Sequence, residues 1–311
     1  MYYFVVNPAS HSEMGMQLWK QVEEILQEKK VPYQVTFSEK EGEITLQVRR
    51  LTRGLKEGEE CSLVILGGDG TVNEAVNGID DFDKVRFSYI PTGSSNDLAR
   101  DMGITKDART AVENILAGER ECLMDVGCLG YEELGVNRKH RFVVSCGIGY
   151  DAAICVEVAQ SRLKAILNRI GLGKLVYVGI GLKQMISVGY IKASIRLDQE
   201  KPIELDRLLF AATMSHRYEG GGFMFCPQAK WGDGILDLCI AGDIPKWKMP
   251  IIIPFALAGK HCLFKGITLE HAKNVGIRTS EPMWVHTDGE VICKTDSINL
   301  SVEKKKLRFV Y

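Results

Sequence analysis

The sequence is short of the features that most quickly assign a class. There is no CxxC pair: the nine cysteines stand apart at 61, 122, 128, 146, 155, 226, 239, 262 and 293. An odd, scattered set fits neither a disulfide framework nor a zinc site, so reduced thiols in a cytosol are expected. The six histidines form no HExxH or comparable ligand pair. No stretch approaches the ~20 consecutive apolar residues of a spanning helix. The opening MYYFVVNPAS has neither the basic n-region nor the long apolar core of a signal peptide, and reads as a strand. An excess of one charge is missing as well. The formal net charge is -1, which argues against nucleic acid as a partner, because phosphate backbones demand a basic excess. The run Lys304-Lys305-Lys306 is expected to be a solvated strand edge. What remains is a globular, cytoplasmic chain of ordinary composition.

At 311 residues it exceeds the size at which single cores stop growing, so two domains are expected. Apolar runs at 2–6, 33–37, 62–66 and 86–90 read as strands. Helical spacing of apolar residues falls between them, at 14–30, 43–56, 71–79, up to 102 behind the capping run 94–97, and at 107–117. Alternating strands and helices predict a mainly parallel sheet with helices on its faces, a Rossmann-like three-layer α/β domain over residues 1–122. Ligands of such sheets bind beyond the carboxyl ends of the strands. From about 123 to 303 strands follow one another, at 122–129, 141–147, 191–197, 205–215, 235–240 and from 267 on. Helical candidates there are limited to 151–167, 173–186 and 247–258. That pattern predicts a β-rich, sandwich-type second domain. The strand at the end of residues 304–311 can pair with either domain.

The chemistry starts at LVILGGDGTVNEAV. A strand runs into glycines that permit close backbone approach, and the next helix offers the positive end of its dipole to an anion. A tight turn without ligand is the plainer alternative. A P-loop would need Gly-Lys-Ser/Thr, whereas Gly70-Thr71-Val72 stands here. A dinucleotide fingerprint would need GxGxxG, usually after the first strand. Asp69 repels anions by itself; it makes sense where Mg²⁺ accompanies the phosphates.

GGDGTVNEAVNG, IPTGSSNDLAR and MDVG (residues 124–127), followed by YEGGGFMFCPQAKWGDGILDL and HTDGE, resemble in order and spacing the diacylglycerol kinase and sphingosine kinase superfamily, the bacterial soluble lipid kinases above all. The resemblance covers essentially the whole chain. It implies an ATP- and Mg²⁺-dependent kinase acting on a lipid alcohol, with diacylglycerol as the default acceptor. Position by position it implies nucleotide contacts at Asn7, Pro8, Ala9, Ser38, Gly67, Gly68, Asp69, Gly70, Thr71, Val72, Asn73 and Ser94. Asp69, Asp97 and Asp125 resemble a carboxylate set that organises catalytic Mg²⁺. Asp233 with the carbonyls of Lys230 and Ile235 resembles a structural Mg²⁺ site. Glu290 stands at the family's general-base position, with Asp288 beside it; Asp-Gly is equally a favoured hairpin turn. Base and phosphates then fall in different domains, so catalysis is expected between them.

Departures from the pattern are the missing Gly after residues 7–11, Ser for Thr at 38 and 94, and Ser215-His216 in place of Asn-Gly. NAD kinases and phosphofructokinases also use GGDG-type loops, and a non-catalytic lipid- or nucleotide-binding protein could retain the fold. The PTGSSND and GGGF blocks favour the lipid branch. Residues 249–257, flanked by Lys246, Lys248 and Lys260, are either a buried helix or an interfacial segment for peripheral membrane contact. An exposed edge strand would permit a homodimer.

Overall fold

A computed structural model describes every residue except 94 and 161–188. The chain divides into two compact units, residues 1–126 with 304–311, and residues 127–303.

The first unit begins with β1 (Tyr2–Val6), α1 (Ser10–Glu28), β2 (Tyr33–Phe37), α2 (Glu43–Arg53), β3 (Cys61–Gly67) and α3 (Asp69–Gly78). It continues with β4 (Val85–Pro91), α4 (Asp97–Met102), α5 (Ala108–Ala117) and β5 (Glu121–Met124). The sheet order is β2-β1-β3-β4, then the terminal strand Leu307–Val310, then β5. Every pairing is parallel except that of β5 with the terminal strand. β3 and β4 are buried along all but their second residue, as expected of inner strands of a parallel sheet covered on both faces. Trp19, Val22 and Leu26 form the buried stripe of α1, and Ile44, Val48 and Thr52 that of α2, at the spacing that keeps one helix face inward. The Asp107 carboxylate accepts the Thr110 N–H at 2.9 Å and caps α5. Of the terminal lysines, Lys304 and Lys305 are exposed, as expected, and Lys305 and Lys306 are paired. Lys305 pairs with Asp81 at 2.7 Å and Asp83 at 2.6 Å, and Lys306 with Asp125 at 3.1 Å.

The second unit holds β6 (Gly127–Glu133), β7 (Val136–Phe142), β8 (Ser145–Gly149), α6 (Tyr150–Gln160), β9 (Ile191–Leu197), β10 (Ile203–Met214) and β11 (Leu236–Gly242). After these come α7 (Met249–Leu257), β12 (Ile267–Ala272), β13 (Asn274–Thr287) and β14 (Glu290–Val302). All its pairings are antiparallel, in the order β12-β11-β10-β8-β13-β14-β6-β7. The long strands β10 and β13 each pair with β9 at one end and β8 at the other. The ring β8-β10-β9-β13 therefore closes into a barrel-like core, filled by Ile148, Ala211, Ile195, Ile277 and Val285. The shift in register of β13 falls between Arg278 and Met283, across Pro282, which has no N–H for a ladder.

Two expected strands break differently. Residues 122–129 supply β5 to one unit and β6 to the other. Residues 141–147 are interrupted at Val143 and Val144, whose N–H groups turn to a side chain described below. The hairpin of β6 and β7 went unread because β7 is largely exposed and charged and its turn is Leu134-Gly135, not Asn-Gly or Asp-Gly. The expected helix at 173–186, and the part of 151–167 beyond 160, lie outside the described residues.

Candidate active site

The strand order of the first unit reverses between β1 and β3, and the segments leaving the carboxyl ends of β1–β4 meet there. Gly67 ends β3 because nothing larger fits: a Cβ would stand 2.4 Å from the Thr71 side chain. The Thr71 hydroxyl accepts the Gly68 N–H at 3.3 Å and the Asn7 amide at 3.2 Å, tying the β1 turn to the first turn of α3. The Thr92 N–H donates to the Gly67 carbonyl at 2.7 Å. The Thr92 hydroxyl donates to Ser10 Oγ, and Ser10 in turn to the Asn7 carbonyl, both at 2.7 Å. Ser38 is buried at the end of β2, its N–H bonded to the Val6 carbonyl at 3.0 Å.

Asn7, Pro8, Ala9, Ser38 and residues 67–71 thus share one edge of the sheet. Ser10 and Thr92 join them; they escaped the sequence reading because isolated hydroxyls carry no spacing signal. Ser94 lies outside the described residues. Val72 does not belong to the loop surface, since its N–H donates to the Gly68 carbonyl and its side chain is buried. Asn73 is buried a turn further on, with its Oδ1 taking the Asn77 amide at 3.2 Å. Gly68, Asp69 and Gly70 are the half-buried part of this stretch. Thr71→Val keeps the shape and removes the hydroxyl. It is expected to raise the nucleotide KM about tenfold, a loss of roughly 1.4 kcal/mol, within the range of one or two hydrogen bonds. A nucleotide titration of initial rates measures this.

Of the three aspartates grouped by resemblance, two come together directly. The Asp69 carboxylate accepts the Asp97 N–H at 3.1 Å. Both charges act on the buried Tyr89 phenol, whose pKa is raised well above 10, first by burial and then by Asp69 and Asp97. Asp125 follows β5, whose last residue Met124 pairs with Leu307 at the end of the sheet where β4 begins. Its carboxylate is 3.1 Å from Lys306 Nζ. The sheet register therefore brings Asp125 in from the end opposite the glycine loop.

In the second unit, Asp233 Oδ1 accepts the Ile235 N–H at 3.1 Å, closing the 233–235 turn. Asp237, nearby on β11, is pushed up to about 6 by partial burial and then by the Asp233 charge. Two crowded carboxylates beside backbone carbonyls are donors suited to a hard divalent cation. Among the described residues, no three His, Cys, Asp or Glu side chains gather closely enough to hold a metal by themselves. A cation at either place must complete its shell with carbonyls, water or phosphate oxygens, which is the habit of Mg²⁺.

The turn between β13 and β14 carries Asp288 and Gly289, at φ of 50° and 87°, with Thr287 paired to Glu290. Both angles are positive, the type I′ pattern. Asp288 is engaged with the backbone. Its carboxylate accepts the N–H groups of Val143 at 2.9 Å, Val144 at 2.7 Å and Ser145 at 2.9 Å, and this is what breaks the strand at 143–144. Its own N–H donates to the Ser145 carbonyl at 2.9 Å. Asp288 therefore anchors the turn, and Glu290, exposed at the start of β14, is the carboxylate the turn presents.

Behind the turn lies a buried cluster that sequence reading missed. His286 Nε2 faces Asp151 at 3.3 Å and Glu219 at 3.2 Å, and its Nδ1 accepts the Gly289 N–H at 3.2 Å. Gly147 makes room for it: a Cβ there would stand 2.0 Å from Asp151 Oδ2 and 2.3 Å from His286 Nε2. Burial alone would lower the imidazole pKa, but Glu219 and Asp151 prevail and raise it to about 9. The Gly289 N–H favours a bare Nδ1 and opposes them. The Gly289 bond belongs to the neutral ring with a bare Nδ1; a proton there, drawn by the two carboxylates, gives that bond up.

Because the folded pKa lies above the unfolded value near 6.5, this stabilisation is complete below pH ~6.5 and is lost as pH rises through about 9. The melting midpoint is expected to fall between those limits in the wild type and to stay flatter in His286→Gln. Thermal scans across pH 6–10 check it.

No helix among the described residues is long and apolar enough to cross a membrane. The diacylglycerol kinase catalytic domain model matches residues 1–128. The YegS C-terminal NAD kinase beta sandwich-like domain model matches residues 143–310, more than half of the chain. A Bacillus subtilis protein named as a candidate lipid kinase, YtlR, is 25% identical over 303 residues, 94% of each chain. A diacylglycerol kinase of the same organism is 29% identical over 230 residues, 73% of this chain and 70% of that one. The solved structure of a candidate diacylglycerol kinase from Bacillus anthracis superposes with a TM-score of 0.75 at 22% identity, covering 100% of this chain and 96% of that one. A catalytic domain followed by a YegS-type sandwich, matched in sequence and in fold, shows that this chain belongs to the diacylglycerol kinase family of lipid kinases.

Proposed function

We propose that the chain transfers the γ-phosphoryl group of ATP to the hydroxyl of a membrane lipid alcohol, diacylglycerol giving phosphatidic acid, at the cytoplasmic face of a membrane. The observation that carries this reading is the bonded set Asn7–Thr71–Gly68 on the carboxyl edge of the sheet, with Asp69 and Asp97 joined beside it.

Phosphoryl transfer needs positioning and charge neutralisation more than covalent help from the protein. The first turn of α3 provides backbone N–H groups and the positive dipole end for the phosphates. Asp69 and Asp97 are the side chains that would hold Mg²⁺ beside them, and the bound cation would offset phosphate charge. Asp233, with the Lys230 and Ile235 carbonyls, would hold a second Mg²⁺ away from the chemistry. Glu290 takes the proton of the acceptor hydroxyl as it becomes acidic late in transfer. Asp288 and His286 keep the turn that carries Glu290 in shape.

The test is a transfer assay with γ-labelled ATP and Mg²⁺, offering diacylglycerol, phosphatidylglycerol, sphingoid bases, ceramide, prenols, NAD and fructose phosphate. Label is expected in the lipid phase, in phosphatidic acid. Label in NAD alone would move the chain to the NAD kinase branch, which the description of its second domain keeps in view. Nucleotide binding with no labelled product would make it a non-catalytic relative.

A further inference from the structure

The second unit exposes an apolar patch that the proposed chemistry does not use. α7 buries Met249, Ile252 and Ala256 and turns Ile251, Phe255 and Leu257 outward. Trp247 just before the helix is 68% exposed and Leu263 just after it 75%, and exposed apolar side chains gathered in one patch mark interaction sites. Phe255 stacks edge-on against Phe264 at 5.0 Å, so helix and following turn form one surface.

The segment that carries the patch holds charge of one sign. Residues 244–269 contain Lys246, Lys248, Lys260 and Lys265 and no Asp or Glu. Lys248 Nζ lies 5.4 Å from the Trp247 ring, an arrangement in which an aromatic ring and an ammonium can share an interface.

The patch is also held firmly from behind. The Met224 N–H donates to the Ala256 carbonyl at 2.8 Å. The buried His261 bonds through Nε2 to the Phe225 carbonyl at 3.0 Å. The clamp thus reaches the segment that follows the glycines at 220–222.

We propose that this patch is a docking surface for an anionic phospholipid bilayer. Trp247, Ile251, Phe255 and Leu263 enter the headgroup region and the lysines pair with lipid phosphates. Residues 244–269 offer no carboxylate to a basic protein partner. The choice of a bilayer rests in part on the reading of the chain as an enzyme of lipid alcohols.

The experiment is co-sedimentation of the full chain with phosphatidylcholine vesicles, with and without phosphatidylglycerol, alongside size-exclusion chromatography. The wild type is expected to bind the anionic vesicles and release them at high salt, because surface charge attraction is screened. Trp247→Glu with Leu263→Glu should weaken binding at least about tenfold. Lys260→Ala with Lys265→Ala, exposed changes that leave packing alone, should weaken it on anionic vesicles only. Both variants should keep wild-type turnover on a short-chain diacylglycerol dispersed below its micelle concentration.

Equal vesicle binding by wild type and both variants would overturn the proposal. So would no binding by the wild type, or a dimer that the glutamate variant converts to monomer, which would make a second copy the occupant. Failure to phosphorylate any lipid would strike the proposed function and leave the vesicle result standing.

Discussion

Glu290→Gln is expected to lower turnover by ~10²–10⁴-fold while the nucleotide KM changes less than about twofold. The substitution keeps size and hydrogen-bonding reach and removes the one property the mechanism asks of this side chain, a proton-accepting charge. Glu290 opens β14 directly after a type I′ turn and is exposed, so the substitution leaves the buried core untouched. Asn7, Gly68 and Thr71, where nucleotide contacts are proposed, belong to the other unit, which is why the effect should separate into kcat. Steady-state rates with nucleotide and lipid varied in turn measure it. A rise in nucleotide KM with kcat preserved would contradict the assignment.

Asp288→Ala should act on stability first. Three backbone N–H groups lose an ionised acceptor, and hydrogen bonds to charged groups contribute about 1.5–3 kcal/mol each. Solvent can re-satisfy part of this half-buried site, so the expected loss is roughly 3–5 kcal/mol. Total stabilities run to only about 5–15 kcal/mol. The melting midpoint should then drop by on the order of 10 °C. Alanine also tolerates the positive φ poorly, which adds to the cost. Asp288→Asn keeps an acceptor and tolerates the turn, and should fall between alanine and wild type. Calorimetry of the three proteins checks the order. An alanine variant that melts with the wild type but is as inactive as Glu290→Gln would return Asp288 to the chemistry.

The contrast between these neighbouring carboxylates shows where sequence reading reached its limit. Strands such as Tyr2–Val6 and Cys61–Gly67 were legible because a parallel sheet buried on both faces demands continuous apolar runs. The glycine loop was legible because few other arrangements put Gly-Gly-Asp-Gly between a strand and a helix. The break at Val143 and Val144 was not, because the local sequence is apolar and strand-like and its cause is a carboxylate 145 residues away. Nor were the partners of His286: Asp151 is 135 residues distant, and a lone histidine announces no neighbours. The family resemblance grouped Asp125 with Asp69 and Asp97. The antiparallel turn of β5 against the terminal strand, which decides where it enters the sheet, leaves no mark on local composition.

Residues 249–257 divide in the same way. Sequence alone offered a buried helix or an interfacial one, and α7 is half of each, with one face packed and the other exposed. An apolar stretch with two prolines has too little polar content for its periodicity to separate the two faces.

The central claim is that phosphate passes from ATP to a lipid hydroxyl with Glu290 as base. Its most direct measurement is the product formed from diacylglycerol, Mg²⁺ and γ-labelled ATP by wild type and Glu290→Gln side by side. The wild type should yield labelled phosphatidic acid and ADP in equal amounts, and the variant almost none of either while still binding nucleotide. Equal phosphatidic acid from both proteins, or none from the wild type with any lipid, would contradict the account.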